Sequence, residues 1–211
     1  YRKGFCASLN FFTFYANKHL SKRFAVLHNN RIVVRIKRPI GLFLIKDEMM
    51  SVNERTRTIT WGDPLVGAQA AMTMSGLDYM QKLIEGEFPA PPIAITMNML
   101  PTEIAEGRAV FTGTPAEEFY NPIGTVHGGF LATLCDSALG CAVHTTLPAG
   151  TAYTTMELHV NYIRPVTKET GTLRCEATVI HSGRKMATAE CKVLDADDKL
   201  YAHATTTCIV F

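Results

Sequence analysis

Residues 121–142 read NPIGTVHGGFLATLCDSALGCA, and this stretch decides the fold. Apolar side chains recur at helical spacing from Phe130 onward, which predicts one long helix with a buried face. Gly128 and Gly129 stand at its start, and Asp136 follows seven residues after the second glycine. Because glycine has no Cβ, a ligand carbonyl can approach the unsatisfied amides of the first helical turn. The pattern is typical of an active site.

The helix start and the aspartate suit chemistry at a carbonyl group. Helix-start amides and the positive end of the helix dipole stabilise an oxyanion, which makes Gly128 and Gly129 candidate donors. A carboxylate such as Asp136 acts as a general base or as a nucleophile. Each residue also has a structural alternative. Asp136 could be a satisfied buried carboxylate, His127 a helix cap, and Asn121 before proline a turn former.

The residue pattern resembles that of the hotdog-fold acyl-CoA thioesterases of the PaaI type. The resemblance rests on Asn121, the triplet 127–129, Asp136 and the strand-end sequence 161–165, which reads NYIRP. It covers residues 93–211. It implies an α+β hotdog fold, in which an antiparallel sheet wraps around one long central helix, here with an additional N-terminal helix. It also implies an enzyme that hydrolyses acyl-CoA thioesters to free acid and CoA.

The resemblance assigns a role to each residue of the motif. The amides of Gly129 and Gly128 would bind the thioester carbonyl, and Asp136 would be the general base or nucleophile. Asn121 and His127 would orient the thioester or the attacking water. No cofactor is implied, because the acyl-CoA is the substrate. A non-catalytic acyl-CoA sensor or binding module on the same fold is the alternative, and a hotdog dehydratase is less favoured because its His and carboxylate motifs are not found.

The family also places a hydroxyl near the carboxylate to hold the nucleophilic water. One branch carries it four residues after the carboxylate, where this chain has Gly140. Another branch carries it at the start of the following strand. Alignment on the NYIRP sequence indicates Thr155, whereas the alternation of that strand puts Thr154 on the helix side with Met156. Both threonines remain candidates, and threonine is also simply common in strands.

The spacing of donors and carboxylate predicts a site shared between two copies of the chain. Seven helical residues return to the same face but advance by about 10 Å. A reacting carbonyl must lie about 3 Å from both groups. Two antiparallel copies related by a two-fold axis would bring Gly129 of one against Asp136 of the other. We therefore expect a homodimer or homotetramer.

Coenzyme A carries phosphates, so a CoA site needs cations at its mouth. The best candidates are Arg164 at a strand end and the pair Arg184 and Lys185 beside a Ser-Gly turn. Surface solvation explains each of them equally well. The domain has no P-loop, no G-x-G-x-x-G and no basic–aromatic stripe, so nucleic acid is not expected as a partner.

Charge divides the chain into two parts. Residues 1–46 hold ten Lys or Arg and no Asp or Glu, whereas residues 49–211 hold 11 basic and 17 acidic residues, a net charge of −6. We expect residues 1–48 to be a basic leader that is disordered, or upstream sequence joined to a chain that starts at Met49 or Met50. Residues 49–211 would be the hotdog domain. A transit peptide and a nucleic-acid or membrane arm are alternatives for the leader.

The leader's longest apolar run covers only residues 40–45, too few to span a bilayer, so no membrane is expected as a partner. The six cysteines show neither C-x-x-C pairs nor Cys/His spacing typical of zinc sites. We interpret them as free core thiols and expect no metal site. Cys175, Cys191 and Cys208 lie in alternating apolar runs, which favours a reducing, cytoplasmic location.

Patterning predicts one further helix and six strands. Asp63-Pro64 is a helix start and Gly86 a helix end, so residues 64–85 are expected to be helical. This helix would pack on the domain and could flank an acyl pocket. Strands are predicted over residues 93–99, 108–114, 151–164, 172–181, 184–194 and 200–211.

Overall fold

A computed structural model describes residues 24–28, 31–35 and 54–211 of the 211-residue chain. Strands β1 (Phe24–His28) and β2 (Arg31–Arg35) pair antiparallel with each other, in a unit separate from residues 56–211. The rest of the segment 1–48 lies outside the described residues. The expectation of a basic leader, disordered or misplaced, stays a prediction.

The second unit is built on a six-stranded antiparallel sheet. Its strands are β3 (Met99–Ala105), β4 (Arg108–Gly113), β5 (Tyr153–Tyr162), β6 (Leu173–Ser182), β7 (Met186–Leu194) and β8 (Leu200–Val210). They lie in the order β3-β4-β6-β7-β8-β5, and the last five in sequence fall within about two residues of their predicted bounds. Alternation along the strands gives the sheet one apolar face: in β7, for example, the side chains at 187, 189, 191 and 193 are buried.

One long helix, α4 (Gly128–His144), packs on the apolar face of this sheet. Phe130, Leu134 and Leu139 on α4 are at most 1% exposed. Fully burying a side chain of this kind stabilises a fold by about 1.5–3 kcal/mol. The architecture is therefore α+β, with the predicted helix in the predicted place. Of the helices in the described part of the chain, none has the length and apolar character that crossing a bilayer requires.

The single helix predicted over residues 64–85 is two helices, α1 (Pro64–Ala71) and α2 (Gly76–Glu85). The break comes from Ser75, whose hydroxyl accepts a hydrogen bond from the amide of Asp78 at 3.2 Å. A serine in this position caps a new helix, and the bond outweighs the apolar periodicity that runs across the break.

The strand predicted over residues 93–99 is wrong. Residues Pro92–Thr96 form a short helix, α3, and β3 begins only at Met99. A proline at the first helical position preorganises the chain for a helix. Asn98 then adopts φ 52°, a left-handed conformation that turns the chain into the sheet.

Candidate active site

The N-terminus of α4 is built by His127, Gly128 and Gly129. His127 is the N-cap, and its Nδ1 accepts a hydrogen bond from the amide of Gly129 at 2.9 Å. No acceptor for the amide of Gly128 is present among the residues that the structure describes. The Gly128 amide is therefore available to a ligand, whereas the Gly129 amide is engaged by the imidazole.

Asn121 shapes the loop that leads into α4. Its Oδ1 accepts hydrogen bonds from the amides of Ile123 at 3.0 Å and Thr125 at 3.2 Å, and its Nδ2 donates to Thr125 Oγ1 at 3.0 Å. Both ends of the side-chain amide are thus engaged within one turn. This geometry corresponds to the structural alternative, in which Asn121 fixes the loop that presents the helix start.

An open cleft of about 440 Å³ lies at this end of α4. Its wall includes the rings of Phe119 and Phe130, which stack with their centroids 5.1 Å apart. Asn121, His127 and Gly129 also line it. An apolar cleft with a few polar groups at one end is the usual form of a small-molecule site. Asp136 is not part of its lining.

Asp136 lies about two turns further along α4, on a half-buried face of the helix. Thr155 on β5 donates a hydrogen bond from its Oγ1 to Asp136 Oδ1 at 2.9 Å. One carboxylate oxygen is therefore held by a hydroxyl, and the other is left for a further donor such as water.

A β-bulge explains why Thr155 reaches the carboxylate and Thr154 does not. The pairing of β5 with β8 shifts register between Thr155 and Glu157, which inserts an extra residue into β5. Thr154 and Met156 are consequently exposed, the latter to 65%. The expectation that strand alternation puts these two residues on the helix side is wrong.

Tyr153 covers the helix face next to Asp136. A Cβ added at Gly140 would lie 3.3 Å from its ring, so the position where one family branch has a hydroxyl is here filled by the tyrosine. Burial raises the pKa of Tyr153 well above its usual value, and the nearby charge of Asp136 adds to the rise. Burial likewise raises the pKa of Cys141 to about 12. Both groups are neutral at neutral pH beside the carboxylate.

Tyr162 contacts the other end of α4. Its hydroxyl donates to the carbonyl of Gly128 at 3.1 Å, and a Cβ at Gly128 would lie 3.1 Å from its ring. Strand β5 therefore follows α4 from Gly140 back to the helix start. The sequence pattern placed Tyr162 in a strand but gave neither tyrosine a place beside the site, because that position depends on how β5 lies along α4.

The three basic candidates do not come together within one chain. Arg164 donates to the carbonyl of Leu200 and is half-buried at the end of β5. Arg184 and Lys185 are exposed in the β6–β7 turn. Arg184 lines a second cleft, of about 420 Å³, together with residues 146–148 after the C-terminal end of α4.

Comparison with known proteins identifies relatives for this arrangement. Residues 123–202 match the family model described as Thioesterase superfamily. A protein of Saccharolobus solfataricus is 34% identical over 101 residues, which are 48% of this chain and 70% of the relative. A protein of Halobacterium salinarum is 38% identical over 88 residues, 41% of this chain and 56% of the relative, so this match spans little more than half of that protein. Both carry the name "Putative esterase".

A 1,4-dihydroxy-2-naphthoyl-CoA hydrolase of Listeria monocytogenes is 24% identical over 107 residues, 51% of this chain and 85% of the relative. A phenylacetic acid degradation-related protein from Ralstonia eutropha has 29% identity and a TM-score of 0.57, covering 62% of this chain and 98% of that one. The PaaI protein of E. coli has 22% identity and a TM-score of 0.55, covering 65% of this chain and 95% of that one. These structures confirm the hotdog arrangement of an antiparallel sheet around one long helix.

Proposed function

Because this chain belongs to the thioesterase superfamily, with the hotdog fold of the PaaI type, we propose that it hydrolyses acyl-CoA thioesters to free acid and CoA. The observation that carries the proposal is the 2.9 Å hydrogen bond from Thr155 to Asp136. A half-buried carboxylate with one oxygen held by a hydroxyl is well placed to bind and activate water. The CoA thioester in the name of the Listeria relative supports the choice of substrate class.

The proposed site needs a second copy of the chain. Gly129 and Asp136 lie on one unbroken helix, so their separation along its axis is about 10 Å. Strand β5 is an edge strand of the sheet. Two of its own apolar side chains, Met156 and Tyr162, are 65% and 53% exposed. An edge strand with exposed apolar side chains suits antiparallel pairing with the same strand of a second copy. In that arrangement the two α4 helices run antiparallel, with Gly129 of one copy against Asp136 of the other.

In the proposed reaction, Asp136 of one copy takes a proton from a water whose oxygen attacks the thioester carbon. The helix-start amides of Gly128 and Gly129 in the other copy donate hydrogen bonds to the oxyanion. The carbon–sulfur bond then breaks, and CoA leaves with the proton. Direct attack by Asp136, followed by hydrolysis of the anhydride, would use the same groups. Neither route requires a cofactor.

The CoA phosphates need cations, and the exposed Arg184 and Lys185 of the β6–β7 turn are the first candidates. Arg184 lines the cleft after the C-terminal end of α4. Arg164 has donors left beyond its bond to Leu200 and is the second candidate.

A non-catalytic acyl-CoA binding module is the second candidate function. The observation that favours it is the hydrogen bond from the Gly129 amide to His127, since this bond occupies one of the two proposed oxyanion donors. A binding module would have no need to free that amide.

Hydrolysis of aromatic, short and medium acyl-CoAs by the purified chain distinguishes the two candidates. Asp136→Asn keeps the shape of the side chain and an acceptor for Thr155 but removes the base. We expect turnover to fall by about 10²-fold or more, while the melting temperature and the binding of product CoA are retained. Ser137→Ala, one residue along the same helix, is the matched control. Near wild-type turnover of Asp136→Asn would reject the catalytic assignment and favour the binding module.

A further inference from the structure

The sulfur atoms of three cysteines lie within 4.8 Å of one another in the core. Cys135 belongs to α4, Cys175 to β6 and Cys191 to β7, and their exposed fractions are 0%, 0% and 3%. No fourth histidine, cysteine or carboxylate joins the group within the part of the chain that the structure describes. The sequence spacing of these cysteines gives no sign of the group, because the tertiary fold brings them together from three different elements.

We propose that this three-thiol cluster binds trivalent arsenic, which it takes up as arsenous acid. Three arsenic–sulfur bonds form while three arsenic–oxygen bonds break. Each thiol proton leaves with a hydroxide as one water molecule, so three waters are released. Arsenic stays trivalent throughout, and no oxidant or reductant is needed. Arsenic(III) is a soft centre that forms three bonds, and the cluster offers three soft sulfur donors without a fourth ligand among the described residues.

The charge of the product favours arsenic over the common soft metals. A complex of arsenic(III) with three thiolates is neutral, and a neutral group costs far less to bury than a charge. Zinc(II) would leave one negative charge and prefers a fourth ligand, and copper(I) would leave two negative charges. The inward-facing strand neighbours offer no counter-charge, because all of them are apolar and fully buried: Leu173, Ala177, Ala189 and Val193.

The cluster is closed to solvent, since Cys135 and Cys175 are fully buried and Cys191 is 3% exposed. Because the cluster is buried, binding needs a local opening of the core and should be slow compared with binding to a surface thiol pair.

The chain contains a matched control for the cluster. Cys208 on β8 is as buried as the three clustered cysteines but lies beside Thr206, with 4.0 Å between Cys208 Sγ and Thr206 Oγ1. Cys208→Ala therefore removes a buried strand thiol without touching the cluster. Cys135→Ala, Cys175→Ala and Cys191→Ala each remove one of the three proposed ligands.

The test incubates the reduced full-length chain with arsenite, removes the excess by desalting, and measures native mass and near-ultraviolet absorption. We expect one arsenic per wild-type chain and per Cys208→Ala chain, and at least tenfold weaker retention in each of the three cluster variants. Zinc(II), offered in the same way, should not be retained at this site. Absence of retained arsenic, equal retention by all four variants, or tight zinc retention lost with the cluster would overturn the proposal.

A measurement on the wild type covers the case in which a cluster variant does not fold. Alkylation during brief pulses of denaturant reports each thiol separately by peptide mass. Arsenite should slow alkylation of Cys135, Cys175 and Cys191 together and leave Cys208 unchanged. Protection of Cys208 to the same extent, or of no cysteine at all, would overturn the proposal without reference to any variant.

Discussion

Thr155 holds one oxygen of Asp136, and the water proposed to attack the thioester would bind the other. A hydrogen bond to a charged group contributes about 1.5–3 kcal/mol, which corresponds to a rate change of about 10- to 100-fold if it is lost in the transition state. We therefore expect Thr155→Val, which keeps the shape, to lower kcat by about tenfold or more with little change in KM. Thr155→Ser should remain close to wild type.

Thr154 provides the control, because it is exposed on the other face of the same strand. Thr154→Val should leave kcat and KM unchanged when measured with the same substrate. Equal losses in the two valine variants, or an unaffected Thr155→Val, would contradict the role given to the hydroxyl.

His127 can be tested in its two roles separately, because asparagine also caps helices. His127→Ala removes the bond to the Gly129 amide and should lower the free energy of unfolding by about 1 kcal/mol. His127→Asn should restore that stability while lacking the imidazole. We expect both variants to lose less turnover than Asp136→Asn, because the imidazole caps the helix through the Gly129 amide and takes no proton in the proposed reaction. Thermal melts and acyl-CoA hydrolysis of the two variants measure this. A loss as large as that of Asp136→Asn in the stable His127→Asn would assign the imidazole a direct role.

The motif singled out Asp136 and the two glycines as candidates, and their positions on α4 follow from local spacing along one helix. It could not choose between Thr154 and Thr155. That choice depends on an extra residue in β5, which forms a β-bulge. Beyond a bulge, the residues that point to the helix side change from odd to even positions, so alternation counted across it assigns the wrong face. The three-thiol cluster could not be predicted from the sequence either, because its cysteines belong to three elements that only the tertiary fold brings together.

Among the elements, periodicity predicted α4 and the strands from β4 to β8, because these are long and half-buried. It failed where a local backbone preference opposes the pattern. Ser75 caps a new helix inside a predicted one, and Pro92 begins a helix inside a predicted strand. The helix end expected at Gly86 is confirmed, with φ 82° in the left-handed region.

The contact between α2 and α4 depends on a glycine. A Cβ at Gly76 would lie 1.8 Å from the backbone oxygen of His144, and the Gly76 amide donates to the Leu147 carbonyl at 3.0 Å. Gly76→Ala must therefore push α2 away from the end of α4. We expect a loss of about 3 kcal/mol of unfolding free energy, at the upper end of the usual cost of overpacking.

Gly86→Ala is the matched control at the other end of α2. Among the described residues nothing lies within 4 Å of its Cβ position, so the cost is only the left-handed conformation, about 1 kcal/mol. Chemical denaturation measures both losses. The near-ultraviolet circular dichroism should change only for Gly76→Ala, because the contact between the rings of Tyr79 and His144, at 5.6 Å, depends on that docking. Equal losses with unchanged spectra would show that α2 docks elsewhere.

At the scale of the whole molecule, one chain contains both halves of the proposed site but holds them apart. The cleft with the helix-start amides lies at one end of α4, and the carboxylate with its threonine lies about two turns away. Strand β5 has a free edge among the described strands, and with its exposed Met156 and Tyr162 this edge is the surface that would join two chains. The activity of the molecule should therefore belong to the pair of chains and to neither chain alone.

Mixing two inactive variants tests this directly. In a mixed dimer of Asp136→Asn and Gly129→Val, one site combines the intact glycine of the first chain with the intact aspartate of the second. After full subunit exchange at equal amounts, about half of the dimers are mixed and each has one working site, so about a quarter of wild-type activity should return. Native mass spectrometry confirms the exchange. The control mixes Asp136→Asn with the double variant Asp136→Asn/Gly129→Val. Neither chain then has Asp136, so no site is complete and the mixture should stay inactive. Confirmed exchange without recovered hydrolysis would place donor and carboxylate in one chain, and the shared site would be wrong.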